Sequence, residues 1–133
     1  MESVFTAKLA NGKESEVFFT VSSEEMKAKI QELGKNVLIV VDEHTECYTP
    51  DKECTVVLQS GEENKNWESL DAILSKAVEF GLARDSYFVA IGGGVVCDMT
   101  AMASSLYMRG AQLMLCPTTL LSMVDASVGG KTA

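Results

Sequence analysis

The sequence predicts an α/β fold, an open and mostly parallel Rossmann-like sheet with helices on both faces. Three observations lead to it. Short, continuous apolar runs rich in β-branched residues occur at Val37 to Val41, Thr55 to Leu58 and Tyr87 to Ile91, the composition of strands covered on both faces. Segments with apolar residues at helical spacing alternate with these runs. Asp42, Gly61-Glu62, Gly92-Gly93-Gly94 and Thr118-Thr119 each stand just after an apolar run, at the strand ends where sheets of this kind bind ligands.

Each element has its own local signal. Glu16 to Val21 is rich in β-formers and follows a turn signal at Asn11-Gly12, which predicts an opening hairpin or edge strand. Ser22 and Glu25 have the spacing of a capping box, and Met26, Ile30 and Leu33 follow at i, i+4 and i+7 before Gly34, which predicts a helix. Val37 to Val41 is the first buried strand, with Asp42 at its end. Thr55 to Leu58 is read as a second run of the same kind, followed by the polar loop Gln59 to Lys65. A long helix beginning near Asn66 places Trp67, Leu70, Leu74, Ala77 and Val78 on one stripe, with Gly81 as its stop. Tyr87 to Ile91 is the third buried strand, closed by three glycines, and a helix from about Val95 to Met108 follows. Leu113 to Cys116 is the fourth strand, ahead of a Thr, Ser and Gly-rich region from Pro117 to Ala133. No repeat or linker interrupts the chain, so residues 1–133 are read as one domain, with right-handed crossovers between strands.

Composition narrows the function. With 47% hydrophobic and 23% charged residues, the chain has the balance of a folded protein. Its net charge of −8 argues against nucleic acid, because the densest positive stretch, Lys27 to Lys35, is diluted by Glu32. No charged-then-apolar leader follows Met1 and no apolar run approaches the ~20 residues of a membrane span, so a cytoplasmic protein is expected. Cys47, Cys54, Cys97 and Cys116 form no C-x-x-C pair and His44 is the sole histidine, so no zinc ligand set is evident. Free thiols are expected.

The glycine triplet between a strand and a helix carries the strongest chemical signal. Lacking Cβ atoms, such residues let the backbone approach a ligand, and the helix behind them presents free N–H groups to a phosphate. A tight turn with no ligand is the other reading. The pattern G-x-G-x-x-G is not met, because Cys97 stands where the third glycine would be. Gly130-Lys131-Thr132 ends like a P-loop, but Asp125 stands where the first glycine of that motif belongs. Asp98 is placed in the first turn of the helix, where the dipole favours a carboxylate with or without a ligand. Asp42 could accept hydrogen bonds from ribose hydroxyls or be a loop carboxylate without a role. His44 reads as a surface residue. Arg109 either complements a helix end or grips a phosphate.

Taken together, Ile91-Gly92-Gly93-Gly94-Val95-Val96-Cys97-Asp98, then Tyr107-Met108-Arg109-Gly110, then Cys116-Pro117-Thr118-Thr119-Leu120-Leu121-Ser122-Met123-Val124-Asp125-Ala126-Ser127-Val128-Gly129-Gly130-Lys131-Thr132 closely resemble the 3-dehydroquinate synthase family. The resemblance is strong from Ser60 to Thr132 and looser back to Val37. It implies an NAD- and zinc-dependent lyase of the shikimate pathway that converts a seven-carbon sugar phosphate with loss of phosphate. It assigns Asp42 to the adenosine ribose, with His44 beside it, and Glu62 with Lys65 to the neighbouring ribose and loop. Gly93, Gly94, Val95 and Asp98 would line the pyrophosphate and nicotinamide side, and Thr118, Thr119 and Leu121 would cover the cofactor. Asp125 and Lys131 would reach the substrate, and Arg109 would serve the partner subunit's site in a homodimer. The metal ligands of the family lie in a helical C-terminal domain, so this chain is expected to be the cofactor-binding half and inactive alone.

Two departures stand out. The family usually has glycine where Cys97 stands, and a thiol there could crowd the turn or the packing behind it. Thr45 to Glu53 is short for the helix that normally follows the Asp42 strand, and His44 replaces an asparagine often found there. The other readings are a related sugar-phosphate cyclase, a stand-alone NAD-binding module and, last, a metal-dependent polyol dehydrogenase.

Overall fold

The computed structural model describes residues 3–8, 14–18, 23–50, 53–83, 85–109 and 111–118. β1 (Ser3–Lys8) and β2 (Glu14–Phe18) form an antiparallel hairpin. The expected hairpin is therefore present, built from residues on both sides of the Asn11-Gly12 signal, which itself lies outside the described residues.

Four strands make the main sheet: β3 (Val37–Asp42), β4 (Thr55–Leu58), β5 (Tyr87–Gly92) and β6 (Gln112–Pro117). All pairings are parallel, in the order β4-β3-β5-β6. The chain thus leaves β3 for one flank, then returns past it to build the other. The strand order reverses between β3 and β5, and crevices beyond the C-terminal ends at such a reversal are where open α/β sheets bind ligands.

Helices lie on both faces, as the apolar patterning requires. Alternate side chains of the central strands point to opposite sides. Leu38, Val40, Phe88 and Ala90 pack on one face with α2 (Trp67–Glu79) and α3 (Gly94–Leu106). Val37, Ile39, Val41, Val89 and Ile91 pack on the other with Met26, Ile30 and Leu33, the residues expected to form the apolar face of α1 (Ser23–Gln31). Leu33 lies just past the last helical residue, and Gly34 ends the helix at φ +94°, a conformation glycine adopts without strain.

Three sequence expectations need correction. β4 is not covered on both faces: Val56 and Leu58 are buried while Val57 is 46% exposed, because β4 is an edge strand. The buried stripe of α2 is Leu70, Ile73 and Ala77 with Leu74 beside it, whereas Trp67 is 77% and Val78 69% exposed. α3 starts one residue earlier than expected and ends at Leu106, followed by a 3-10 turn, Tyr107–Arg109, in which Met108 has φ +44°.

The link from β3 to β4 contains only the short 3-10 turn Glu46–Tyr48 among its described residues, in line with the shortness noted in the sequence. Cys97 sits in the core behind the turn. Its side chain is fully buried in the α2–α3 core, with Sγ 3.7 Å from the Gly92 carbonyl.

Candidate functional site

The C-terminal ends of β3 and β5 bring the sequence-predicted residues to one edge. At the end of β3, Asp42 is 7% exposed. Oδ1 accepts the backbone N–H groups of His44 at 2.8 Å and Thr45 at 3.0 Å. This is the local bonding by which aspartate stabilises a turn two to three residues on. His44 is fixed by its backbone while its imidazole stays exposed, 3.5 Å from Glu43.

At the end of β5, Gly92 lets α3 pack close: a Cβ there would lie 2.9 Å from Val96 Cβ. A Cβ on Gly94 would meet nothing within 4 Å. Gly93 caps the helix with no side-chain hydrogen bond, and the first helical amide to find a partner is Cys97 N–H, on Gly93 O at 3.0 Å. Gly94, Val95 and Val96 therefore present N–H groups without partners among the described residues, the positive end of a 13-residue helix.

Asp98 lies in the second turn of α3, because the helix begins at Gly94. The helix dipole falls off within the first turn, so it does little to hold this carboxylate. Lys65 does that instead. Its Nζ donates to Asp98 Oδ2 at 2.8 Å and lies 3.2 Å from Glu62. The hydrogen bond to Asp98 is the main cause that raises the Lys65 pKa above its ordinary value, against the opposing effect of burial. Asp98 is 5% exposed, and its second oxygen, Oδ1, is buried without a hydrogen-bond partner. A buried acceptor left open costs about 1–3 kcal/mol, so this atom marks a place for an incoming donor.

The turn that positions Glu62 and Lys65 is itself well tied. Gly61 adopts φ +113°, Asn64 Nδ2 donates to Ser60 O at 2.9 Å, and Ser69 Oγ donates to Asn64 O at 2.7 Å. Asn66 caps α2 by accepting from Ser69 N–H at 2.9 Å. Glu43 joins this turn to the end of β3 by accepting from Ser60 N–H at 3.0 Å, and the Ser60 hydroxyl also bonds to it. That hydroxyl contact is the first cause holding the Glu43 carboxyl below its usual range.

Thr118, just past β6, continues the ladder by donating its N–H to Gly92 O at 2.9 Å. Arg109 is not part of this edge: it follows the far end of α3, a helix length of roughly 20 Å away. Thr119, Leu121, Asp125 and Lys131 lie outside the described residues. Sequence reasoning missed Thr45, Glu43 and Ser60. The Asp-x-x-Thr spacing of an Asx-type turn was the available signal for Thr45. Burial pushes the Cys97 and Cys116 thiols up to about 12, so both stay protonated at neutral pH.

The donor set suits a pyrophosphate flanked by sugar hydroxyls. Unpartnered amides and an open glycine have the chemistry to receive an anion, and the carboxylates of Asp42 and Asp98 have the chemistry to accept from hydroxyl or amide groups. Among the described residues, no group of three or more His, Cys, Asp or Glu could hold a metal ion, and no helix is long and apolar enough to cross a membrane.

Fold and site together define an open parallel α/β protein with an anion-receptive glycine turn at the reversal of strand order. Comparison with known proteins agrees and goes further. Residues 55–133 match the family model for the 3-dehydroquinate synthase N-terminal region, and the chain belongs to that family. A 3-dehydroquinate synthase of Legionella pneumophila (strain Lens) is 45% identical over 109 residues, which cover 75% of this chain and 30% of that protein. One from Helicobacter pylori (strain G27) is 55% identical over 76 residues, 57% of this chain and 22% of that protein. The chain thus spans less than a third of the length of these relatives.

Among solved structures, a 2-epi-5-epi-valiolone synthase from Streptomyces hygroscopicus with NAD+ and Zn2+ bound superposes at TM-score 0.68 with 28% identity, covering 80% of this chain and 33% of that one. A 2-deoxy-scyllo-inosose synthase superposes at TM-score 0.71 with 21% identity, covering 91% of this chain and 38% of that one. That second likeness is one of fold alone.

Proposed function

We propose that residues 1–133 are the NAD-binding domain of a cytoplasmic, homodimeric 3-dehydroquinate synthase acting in the shikimate pathway. A C-terminal domain would supply the metal ligands. The observation that carries this reading is the Lys65–Asp98 pair, which leaves a buried carboxylate oxygen open beside unpartnered helix amides. The NAD+ and Zn2+ bound to the valiolone synthase support it.

NAD, when bound, supplies the hydride acceptor for oxidising an alcohol of the sugar phosphate. The residues of this chain bind and orient it. Amides of Gly94 and Val95 receive the pyrophosphate while Gly93 keeps side chains out of its path. Asp42 accepts from the adenosine ribose with His44 beside it, and Glu62 and Lys65 border the neighbouring ribose. Asp98 Oδ1 accepts from the nicotinamide side. Thr118, Thr119 and Leu121 cover the cofactor, Asp125 and Lys131 reach the sugar phosphate, and Arg109 contacts phosphate in the partner subunit's site. With this chain alone, no turnover is expected.

Calorimetric titration with NAD tests the reading. Gly94→Val is expected to abolish binding while leaving the melting temperature nearly unchanged, because the side chain points into space that is open in the fold but occupied by the cofactor. Undiminished binding by that variant rejects the assignment.

A further inference from the structure

The pairing of the two central strands stops short of their C-terminal ends, where the site lies. β3 is paired with β4 up to Asp42↔Leu58, and β5 with β6 up to Gly92↔Pro117. Between β3 and β5 the register stops at Val40↔Ala90, two residues short of Asp42 and Gly92. The strands that carry the two halves of the site are thus the pair whose ends are least held by backbone bonding.

Thr45 spans that gap. It is 5% exposed, and its hydroxyl donates to Ile91 O at 2.7 Å, 46 residues away in sequence. The same oxygen accepts the Asp42 N–H at 3.0 Å and lies 3.2 Å from Asp42 Oδ1. A hydroxyl carries one proton, and the shorter contact to Ile91 takes it. Asp42 Oδ1 is occupied by the His44 and Thr45 N–H groups, which leaves Oδ2 without a partner among the described residues.

We infer that Thr45 is a positioning residue of this site: its hydroxyl ties the end of β3 to the end of β5 and, by accepting the Asp42 N–H, fixes the backbone from which the Asp42 carboxylate presents one oxygen to a ribose hydroxyl. This rests on the reading of the site as a dinucleotide pocket. A buried threonine at this place is otherwise an added polar group with no apolar gain, since valine has the same shape without the hydroxyl. Thr45 acts through Asp42, so its influence is confined to ligands that carry the adenosine ribose.

That confinement separates positioning from mere stability. NAD, ADP-ribose and nicotinamide mononucleotide are titrated against the wild-type chain, Thr45→Val, Thr45→Ser, Asp42→Asn and the double variant Asp42→Asn with Thr45→Val. Thr45→Val is expected to weaken NAD and ADP-ribose about tenfold and Thr45→Ser to restore both to within about twofold, the scale of one buried hydrogen bond. Nicotinamide mononucleotide is expected to bind all variants alike, and Thr45→Val is expected to add little once Asp42 is Asn. Loss shared equally by the mononucleotide, or additivity with Asp42→Asn, overturns the inference. If Thr45→Val does not fold, amide NMR of the wild-type chain decides: the His44 and Thr45 signals must shift with ADP-ribose and stay still with the mononucleotide, and the reverse overturns it. A wild-type chain that binds none of the three ligands rejects the dinucleotide reading and the inference together, whereas binding that ignores Thr45 rejects only the inference.

Discussion

At the scale of single residues, Gly92 and Gly94 show that neighbouring glycines in one turn serve different ends. A Cβ on Gly92 would press on the Cβ of Val96 at 2.9 Å, an atom that cannot swing aside, whereas a Cβ on Gly94 would meet open space. Gly92→Ala is therefore expected to destabilise the fold by about 1–3 kcal/mol, the usual cost of overpacking. Gly94→Ala is expected to be near neutral. Chemical denaturation of both variants checks the contrast, and equal stability would mean that the β5–α3 turn is less tightly packed than described. Cys97 belongs to the same scale. Its volume fits the core and its thiol is held protonated, its pKa raised to about 12 chiefly by burial, so it acts as a small apolar residue.

At the scale of elements, helix α2 separates periodicity from burial. Trp67, Leu70, Leu74, Ala77 and Val78 form a plausible apolar stripe by spacing, yet the buried face is rotated to Leu70, Ile73 and Ala77. Spacing alone allows both choices, because an apolar helix face wide enough for a core can be drawn around several centres. Ile73→Ala is expected to cost about 2–5 kcal/mol as a cavity in a fully buried place. Trp67→Ala is expected to change stability by no more than about 0.5 kcal/mol. Thermal unfolding of the two variants measures which stripe faces the core. β4 carries the same lesson for strands: its composition matches a central strand, and only its place at the sheet edge leaves Val57 exposed.

At the scale of the whole molecule, the Lys65–Asp98 pair joins the turn before α2 to α3 across 33 residues of sequence. Lys65→Met removes the cation from a buried carboxylate and is expected to cost about 1–3 kcal/mol, the scale of leaving a buried acceptor unpaired. The pH dependence follows from the raised Lys65 pKa. A group whose pKa is higher folded than unfolded contributes in full below its ordinary value, here 10.5, and loses that contribution as pH rises through the folded value. Wild type and variant are therefore expected to differ by a constant amount through neutral pH and to converge in strongly alkaline solution. A gap that persisted undiminished into strongly alkaline solution would show that Lys65 is not the group responsible.

The sequence by itself determined the alternation of strands and helices, the parallel α/β class, the glycine turn and the family, because these rest on local signals. Side-chain period, capping residues and the order of a long motif are all properties of contiguous residues. Asp42, Lys65, Gly94 and Asp98 were legible as candidates for the same reason. Only the tertiary structure decided that the strands are ordered β4-β3-β5-β6, that β4 is exposed on one face, and that α2 turns Ile73 rather than Trp67 inward. It also decided that Lys65 reaches Asp98 and that Thr45 reaches Ile91. Those contacts depend on which strand ends lie side by side once every apolar face has found cover, a condition imposed by the whole chain and written in no single segment of it.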